Sequence, residues 1–513
     1  MTPETGSQQS VIDFLADPAT HGGAQVRRID THAASVFLAG SRALKIKRAV
    51  RFPFLDFSTL EKRKAACEAE IMINRAFAPA LYRRVVPITR TAAGYLEIGG
   101  QGSPVEWAVE MLRFDETKTL DQLAQSRHID EALADRLGRT VAASHRVAPV
   151  IKNANFTKAF EEVIAQNEAE LAAEPDLFSL QDLRALAAAT RETFERVKPL
   201  LSARERAGLV RRCHGDLHLG NVALIDGEPV LFDAIEFDDR IATTDVLYDL
   251  AFVLMDLIER NLRPAANTVF NRYLVETQRV HDLDALAALP LFMSVRAAIR
   301  AKVTAARRRH SAASADTARD ARTYAELARV LLMPVNPELV AIGGLSGTGK
   351  SLLARVLAPE IMPMPGAVLL RSDIERKAMF GITETERLPE AAYAPDITAT
   401  VYAALAAKAR RVIETGHSAI VDAVFARPDE RAQIENAAGG GRFVGVFLTA
   451  DLPTRLGRVG VRRGDASDAD TAVAQAQEQF DLGQIKWTKL DASGTPEETL
   501  IRAKAILAFQ AMH

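Results

Sequence analysis

Eight consecutive residues, Gly344-Leu345-Ser346-Gly347-Thr348-Gly349-Lys350-Ser351, constrain this chain more than any other stretch. They stand between an apolar, strand-like run at 338–343 and a helical pattern at 352–357. Glycines let backbone N–H groups close around an anion at a helix N-terminus, where the helix dipole adds its attraction. Lys350 would neutralise the outer phosphates of a nucleotide, and the Ser351 hydroxyl offers an oxygen to magnesium. Such a loop needs a sheet to carry it. Residues 367–370, 418–421 and 443–448 read as further strands separated by helical patterns, the alternation of a parallel sheet with helices on both faces. Ligands of such sheets meet the carboxyl ends of the strands, where Asp373 and Asp422 fall.

A second constellation lies far upstream. Asp216 and Asn221 are five residues apart, the spacing by which a catalytic loop orients an acceptor hydroxyl and holds a metal ion. Residues 222–225 and 230–232 are short apolar runs joined by Asp226-Gly227-Glu228-Pro229, a turn that closes antiparallel strands and carries Asp233 back beside Asn221. In that arrangement Asp216 accepts a proton from an alcohol, while Asn221 and Asp233 hold magnesium on ATP phosphates. His214, at the head of the loop, braces its backbone.

Residues 36–39 and 43–47 form a hairpin around Gly40-Ser41-Arg42, and its second strand bears Lys45. A strand lysine before a helix with a glutamate is an arrangement that holds ATP phosphates. Lys47 shares the face of Lys45 and is the alternative. The helix is expected from Ser58 to Arg75, capped by Ser58 with Glu61 three residues on. On it Glu70 is the preferred partner and Glu68 the alternative. Residues 30–35 hold no glycine, so Ser35 and nearby amides stand where a glycine-rich loop would cover the phosphates. Residues 106–112 read as a strand leading to a hinge whose backbone would meet adenine, and 115–147 become helical.

His214-Gly215-Asp216 with Asn221 resembles the catalytic loop of the aminoglycoside phosphotransferase family. The resemblance implies a bilobal, protein-kinase-like fold over residues 1–334. It makes Asp233 the metal-binding aspartate and Asp249-Leu250-Ala251 the element that buttresses the catalytic loop. Residues 234–239 replace the family's glycine-rich turn, which sets Glu236 within reach of the metal or acceptor. Met333 to Pro337 is a joint between two prolines, and residues 335–513 resemble the small P-loop kinases that include gluconate kinase, polynucleotide kinase and the zeta-toxin group. That resemblance gives Asp373 the acceptor hydroxyl, places Arg376 just beyond it, and puts Asp422 at the Walker B position. Arg455, Arg458, Arg462 and Arg463, followed by 464–468, resemble a lid whose arginines close over phosphates.

The whole chain is consistent with two such domains, one α/β and one α+β. Its 513 residues exceed one ordinary domain, and a net charge of -2 gives no general attraction to nucleic acid or an anionic membrane. Cys67 and Cys213 follow neither disulfide nor zinc spacing, and residues 1–9 lack a secretory pattern, so a cytoplasmic protein is expected. Residues 246–258, broken by Asp249 and Asp256, are too short to span a bilayer and read as a buried helix. Arg296, Arg300, Lys302 and the run 306–310 read as a solvated helix face. The expected function is ATP-dependent, magnesium-assisted transfer of phosphate to hydroxyls of small molecules by both halves. One alternative is a single active kinase with a regulatory nucleotide-binding half; the other is a nucleotide sensor without turnover. Oligomeric state has no signature here.

Overall fold

The computed structural model describes residues 3–31, 33–52, 55–310, 315–461 and 466–511. It divides into two compact units, Met1–Val163 with Leu201–Asp256, and Ile164–Leu200 with Leu257–His513.

The first unit contains an antiparallel sheet in the order Val26–Asp30, Ala34–Ala39, Arg42–Lys47, Ser103–Leu112, Tyr82–Arg90, Leu96–Ile98. Side chains alternate across a strand, so in Arg42–Lys47 the residues Leu44 and Ile46 join Val11, Leu15, Phe37 and Ile88 in one core. Lys45 and Lys47 therefore point to the other face. Against that face lies the helix Leu60–Asn74, whose buried stripe is Arg63, Cys67, Glu70, Ile71 and Asn74. Its cap is Thr59, which accepts from Lys62 N, not the expected Ser58; the Ser58 hydroxyl is held by Asp56 instead.

Beyond this sheet, the helices Leu120–Gln125 and Glu131–Val147 precede two small antiparallel ribbons. One pairs Val210–Arg212 with Thr243–Asp245, and the other pairs Val222–Ile225 with Glu228–Leu231. The second hairpin is tighter than its sequence suggests. Ile225 pairs directly with Glu228, leaving Asp226 and Gly227 as a two-residue turn with φ of 52° and 84°. Both central residues in the left-handed region is what a type I′ turn requires, and Asp-Gly supplies it.

In the second unit a five-stranded parallel sheet runs Val368–Arg371, Ala419–Asp422, Glu338–Gly344, Arg442–Thr449, Thr488–Asp491. Val340, Ile342, Ile420 and Val444 pack with Leu353 and Leu357 of the helix Lys350–Leu357 and Ala503 of Pro496–Ala511. The alternate residues Leu339, Ala341, Ala419 and Val421 are equally buried, and the helix Pro395–Glu414 packs on the same strands. Burial on both faces explains the continuous apolar runs of the central strands. The edge strand Thr488–Asp491 buries only Leu490 and has no such run.

The same unit holds the helices Arg263–Thr277, Leu289–His310 and Ala315–Leu331. The expected solvated basic face holds at Arg307, which is exposed, but not at the three earlier positions. Arg296 is buried, Arg300 lies 5.4 Å from the Tyr324 ring centroid, and Lys302 pairs with Glu170 at 3.5 Å. Among the described residues no helix is long and apolar enough to cross a membrane.

Candidate active sites

The loop around Asp216 is built from buried acids behind it. Asp249, in the helix Val246–Glu259, accepts from His214 N at 3.2 Å, Gly215 N at 2.9 Å and His145 Nε2 at 3.1 Å. Asp256, two turns on, accepts from Leu219 N at 3.0 Å. These bonds explain why an apolar helix carries two carboxylates: buried backbone donors need partners. Gly215 has φ 84°, and a Cβ there would sit 3.1 Å from Ala242 Cα. His214 Nε2 donates to Phe232 O at 2.9 Å, tying the loop to the hairpin. Burial holds its imidazole pKa below the usual value despite Asp249 and Asp216, so this histidine is neutral.

Asn221 Nδ2 donates to the Asp216 carbonyl at 2.9 Å and carboxylate at 3.2 Å. That use of the amide nitrogen leaves the Asn221 oxygen as the atom able to serve a cation. His218, which sequence reasoning passed over, has Nε2 3.5 Å from Asp216 Oδ2 and accepts from Gly220 N at 3.0 Å. The Asp216 side chain retains 42% of its exposure, so it can meet an incoming alcohol.

Asp233 adopts φ 59°, a conformation that Asp tolerates better than bulky residues. Its N–H donates to Tyr82 Oη at 3.0 Å. Next to it Ala234 is clamped by Asn74, which accepts from its N–H at 2.7 Å and donates to its carbonyl at 3.2 Å.

Lys45 Nζ lies 2.9 Å from Glu70 Oε1 and 2.5 Å from Asp233 Oδ1. Lys47 Nζ lies 2.6 Å from Glu70 Oε2 and also pairs with Glu236. Glu68 stays on the exposed face near Lys64. Both lysines thus share Glu70, and Lys45 alone of the two pairs with Asp233. Glu236, expected toward the metal or acceptor, is turned into the sheet by Lys47.

Desolvation opposes charge at every member of this cluster. For Lys45 it is overridden by Asp233 and Glu70, which hold the ammonium pKa well above the usual value. For Asp233 and Glu70 the lysines prevail and both pKa values fall. For Glu236 burial prevails over Lys47, and its pKa rises. The oxygens of Asp233 and Asn221 are hard donors of the kind that suits magnesium.

In the other unit, Gly344, Gly347 and Gly349 have φ of 139°, 87° and 95°. A Cβ on Gly347 would fall 2.6 Å from Arg455 O, so the loop wraps backbone against backbone. Ser346 N donates to Gln477 Oε1 at 2.7 Å, Thr348 Oγ1 to Leu345 O at 2.8 Å, and Lys350 Nζ to Leu345 O at 3.2 Å. The loop opens into a cavity of about 1930 Å³ whose wall includes Ser351, Asp373, Arg376, Asp422 and Arg458. The φ values, the backbone approach at Gly347 and the adjoining lysine fit a nucleotide phosphate chain with its magnesium.

Asp422 accepts from Arg371 Nε at 3.3 Å. Burial and the neighbouring Asp422 push the Asp373 carboxyl above its usual range, the direction wanted in a group that takes up a proton. Arg376 Nη1 is bound to Ala392 O at 2.7 Å and Thr398 Oγ1 at 3.2 Å, with the guanidinium 4.9 Å from the Tyr393 ring centroid. Of the lid arginines, Arg455 is buried and donates to Ser346 O at 2.8 Å, bracing the phosphate loop from behind. Arg458 lines the cavity and donates to Gly494 O at 2.9 Å. Arg462 and Arg463 lie outside the described residues.

A strand lysine, a helix glutamate and a metal-loop aspartate in one unit, with a phosphate loop in the other, define an ATP-dependent kinase. Residues 34–289 match the phosphotransferase enzyme family, and residues 339–481 match an AAA domain of the P-loop type. The chain therefore carries a phosphotransferase-family domain followed by a P-loop kinase-like domain. An uncharacterized protein of Mycobacterium tuberculosis is 28% identical over 488 residues, covering 92% of this chain and 94% of that protein. Among solved structures, a gluconokinase from Sinorhizobium meliloti aligns at 21% identity over 34% of this chain and 94% of its own, with a TM-score of 0.26. A choline/ethanolamine kinase family protein from Mesorhizobium loti aligns at 14% identity over 64% and 95%, with a TM-score of 0.39.

Proposed function

We propose that this chain is a bifunctional phosphotransferase, each half moving the ATP γ-phosphoryl group to a hydroxyl of a small molecule in the cytoplasm. Its functional halves are residues 1–334 and 335–513. The observation that carries the proposal is the meeting of Lys45 with both Glu70 and Asp233, because it gathers three separate sequence elements at one phosphate-binding point.

In the N-terminal half Asp216 accepts the alcohol proton as the phosphoryl group leaves ATP. Lys45, fixed by Glu70, neutralises the ATP phosphates, and Asn221 and Asp233 present oxygens to magnesium. In the C-terminal half the amides of Gly344 to Ser351 and the Lys350 ammonium hold the phosphates. There Asp373 takes the acceptor proton, Ser351 and Asp422 serve magnesium, and Arg376 and Arg458 add positive charge. Magnesium, when bound, draws off charge that develops on the transferring oxygens. Residues of both sites act mainly by positioning and by charge arranged in advance.

The test is a mass-spectrometric screen of a metabolite extract incubated with the protein and Mg-ATP, comparing wild type with Asp216→Asn and Lys350→Ala. Two products, each lost in one variant, are expected. A single product lost in one variant only would leave the other half a regulatory domain. Tight ATP binding with no phosphorylated product would overturn the proposal in favour of a nucleotide sensor.

A further inference from the structure

The helix Arg263–Thr277 lies wholly within the stretch matched by the phosphotransferase family, yet it belongs to the same compact unit as the parallel sheet. Its contacts there are specific. The strand Val368–Arg371 is an edge of that sheet, and an edge strand presents N–H and C=O groups with no neighbouring strand to take them. Asn271 supplies both halves of the missing pairing: its Oδ1 accepts from Leu369 N at 2.7 Å, and its Nδ2 donates to Ala367 O at 3.1 Å. Asn267 Nδ2 donates to the same carbonyl at 3.1 Å. The approach is close enough that a Cβ on Gly366 would lie 2.6 Å from Asn267 Nδ2. The edge strand so covered leads directly into the helix Ser372–Met379, which carries Asp373 and Arg376.

The residue after Asn271, Arg272, forms a two-pronged ion pair with Glu384, with Nη2 3.0 Å from Oε2. Glu384 lies in the segment 382–393, whose Leu388 and Tyr393 line the same cavity as Asp373. Its carbonyl accepts from Lys377 Nζ at 2.8 Å, and the same ammonium lies 2.9 Å from Asp468 Oδ1. Asp468 Oδ2 in turn accepts from Leu388 N and from Tyr393 Oη, each at 2.9 Å. Arg272 is thus the outer end of a continuous polar chain through Glu384 and Lys377 to Asp468, which lies in the segment that follows the lid arginines.

We infer that Arg272 is a positioning residue of the P-loop kinase site, holding the acceptor-side segment 382–393 and the Asp468 segment in place through Glu384 and Lys377. The inference rests on the proposed function of the C-terminal half. It makes the helix 263–277 a shared part of the protein. A phosphotransferase-family helix organises the acceptor wall of the other kinase, and a P-loop domain cut away at residue 335 loses it.

The test uses the full chain. Hydrogen–deuterium exchange is compared for wild type, Arg272→Ala, Glu384→Ala and the charge-reversed pair Arg272→Glu with Glu384→Arg, with Mg-ATP affinity measured calorimetrically on each. Loss of a bidentate charged contact is expected to speed exchange in 382–393 and around Asp468 by about tenfold. Both single variants show it, the charge-reversed pair restores at least part of the protection, and Mg-ATP affinity changes by less than about twofold. Unchanged exchange in those segments, a rise spread evenly over the whole sheet, or no restoration by the reversed pair would each overturn the inference. A Lys350→Ala chain that binds Mg-ATP as well as wild type would instead overturn the P-loop reading beneath it.

Discussion

Replacing Lys47 by methionine tests whether the second lysine of the strand Arg42–Lys47 holds the metal loop in place. Methionine keeps the length and loses the charge. Glu70 retains Lys45 at 2.9 Å, so the unbalanced group is Glu236, whose side chain is 7% exposed. Removing one partner of a buried pair costs about 3–5 kcal/mol when the other must stay charged. Burial already pushes the Glu236 carboxyl upward, so without Lys47 it can take a proton, and the lower end of that range applies. Adding Glu236→Gln to Lys47→Met should therefore recover about 2 kcal/mol of coupling.

The two tryptophans, Trp107 and Trp487, stand one in each compact unit, so urea unfolding of the Trp487→Phe chain reports the first unit alone. With a slope of about 2 kcal/mol/M, Lys47→Met lowers the midpoint by about 1.5 M. The pH dependence gives an independent sign. A carboxyl whose folded pKa is raised contributes stability that is complete below its unfolded pKa and lost as pH rises through the folded value. The Lys47→Met chain therefore weakens relative to wild type as pH rises above the usual glutamate range, and Glu236→Gln flattens that slope. A coupling below about 0.5 kcal/mol, or a loss independent of pH, would refute the reasoning.

Asp216→Asn should lower turnover at the N-terminal site by about 10²–10⁴-fold in a phosphoryl-transfer assay while Mg-ATP affinity stays within about twofold, because only proton acceptance is removed. Gly347→Ala should abolish calorimetric Mg-ATP binding at the C-terminal site, since φ 87° and Arg455 O at 2.6 Å leave no room for the methyl. His417 is buried neutral with its pKa depressed to about 4, so the unfolded chain binds the extra proton first. Stability of the second unit is then complete above pH 6.5 and falls by about 3 kcal/mol as pH drops through the window to 4; melts followed by Trp487 in the Trp107→Phe chain should show the loss, and His417→Gln should reduce it.

What the sequence displays are the places where backbone geometry dictates residue type. The phosphate loop needs glycines at fixed steps, the 226–227 turn needs Asp-Gly, and alternation along one strand puts Lys45 and Lys47 on one face. Those features are local, and the central strands of the parallel sheet are legible for the same reason. Pairings over long sequence distances leave no such trace. Nothing near Asn271 announces that it completes an edge strand about a hundred residues later, and the strand Thr488–Asp491 buries too little to stand out. Ser58 and Thr59 are equally good caps by composition; Asp56 decides between them by holding the Ser58 hydroxyl.

The metal loop shows how a departure in sequence and a long-range contact can be one fact. A glycine-rich turn after Asp233 could take its conformation unaided. Here Asp233 holds φ 59° and is followed by Ala234, Ile235 and Glu236, so the conformation has to be imposed from outside. Three side chains from the sheet and its helix impose it: Tyr82 on Asp233 N, Asn74 on both polar groups of Ala234, and Lys47 on Glu236. Each would be dispensable beside a turn of glycines. The second lysine, which duplicates Lys45 when the strand is read alone, therefore has separate work: Lys45 pairs with Asp233 itself, while Lys47 fixes the residues that follow it.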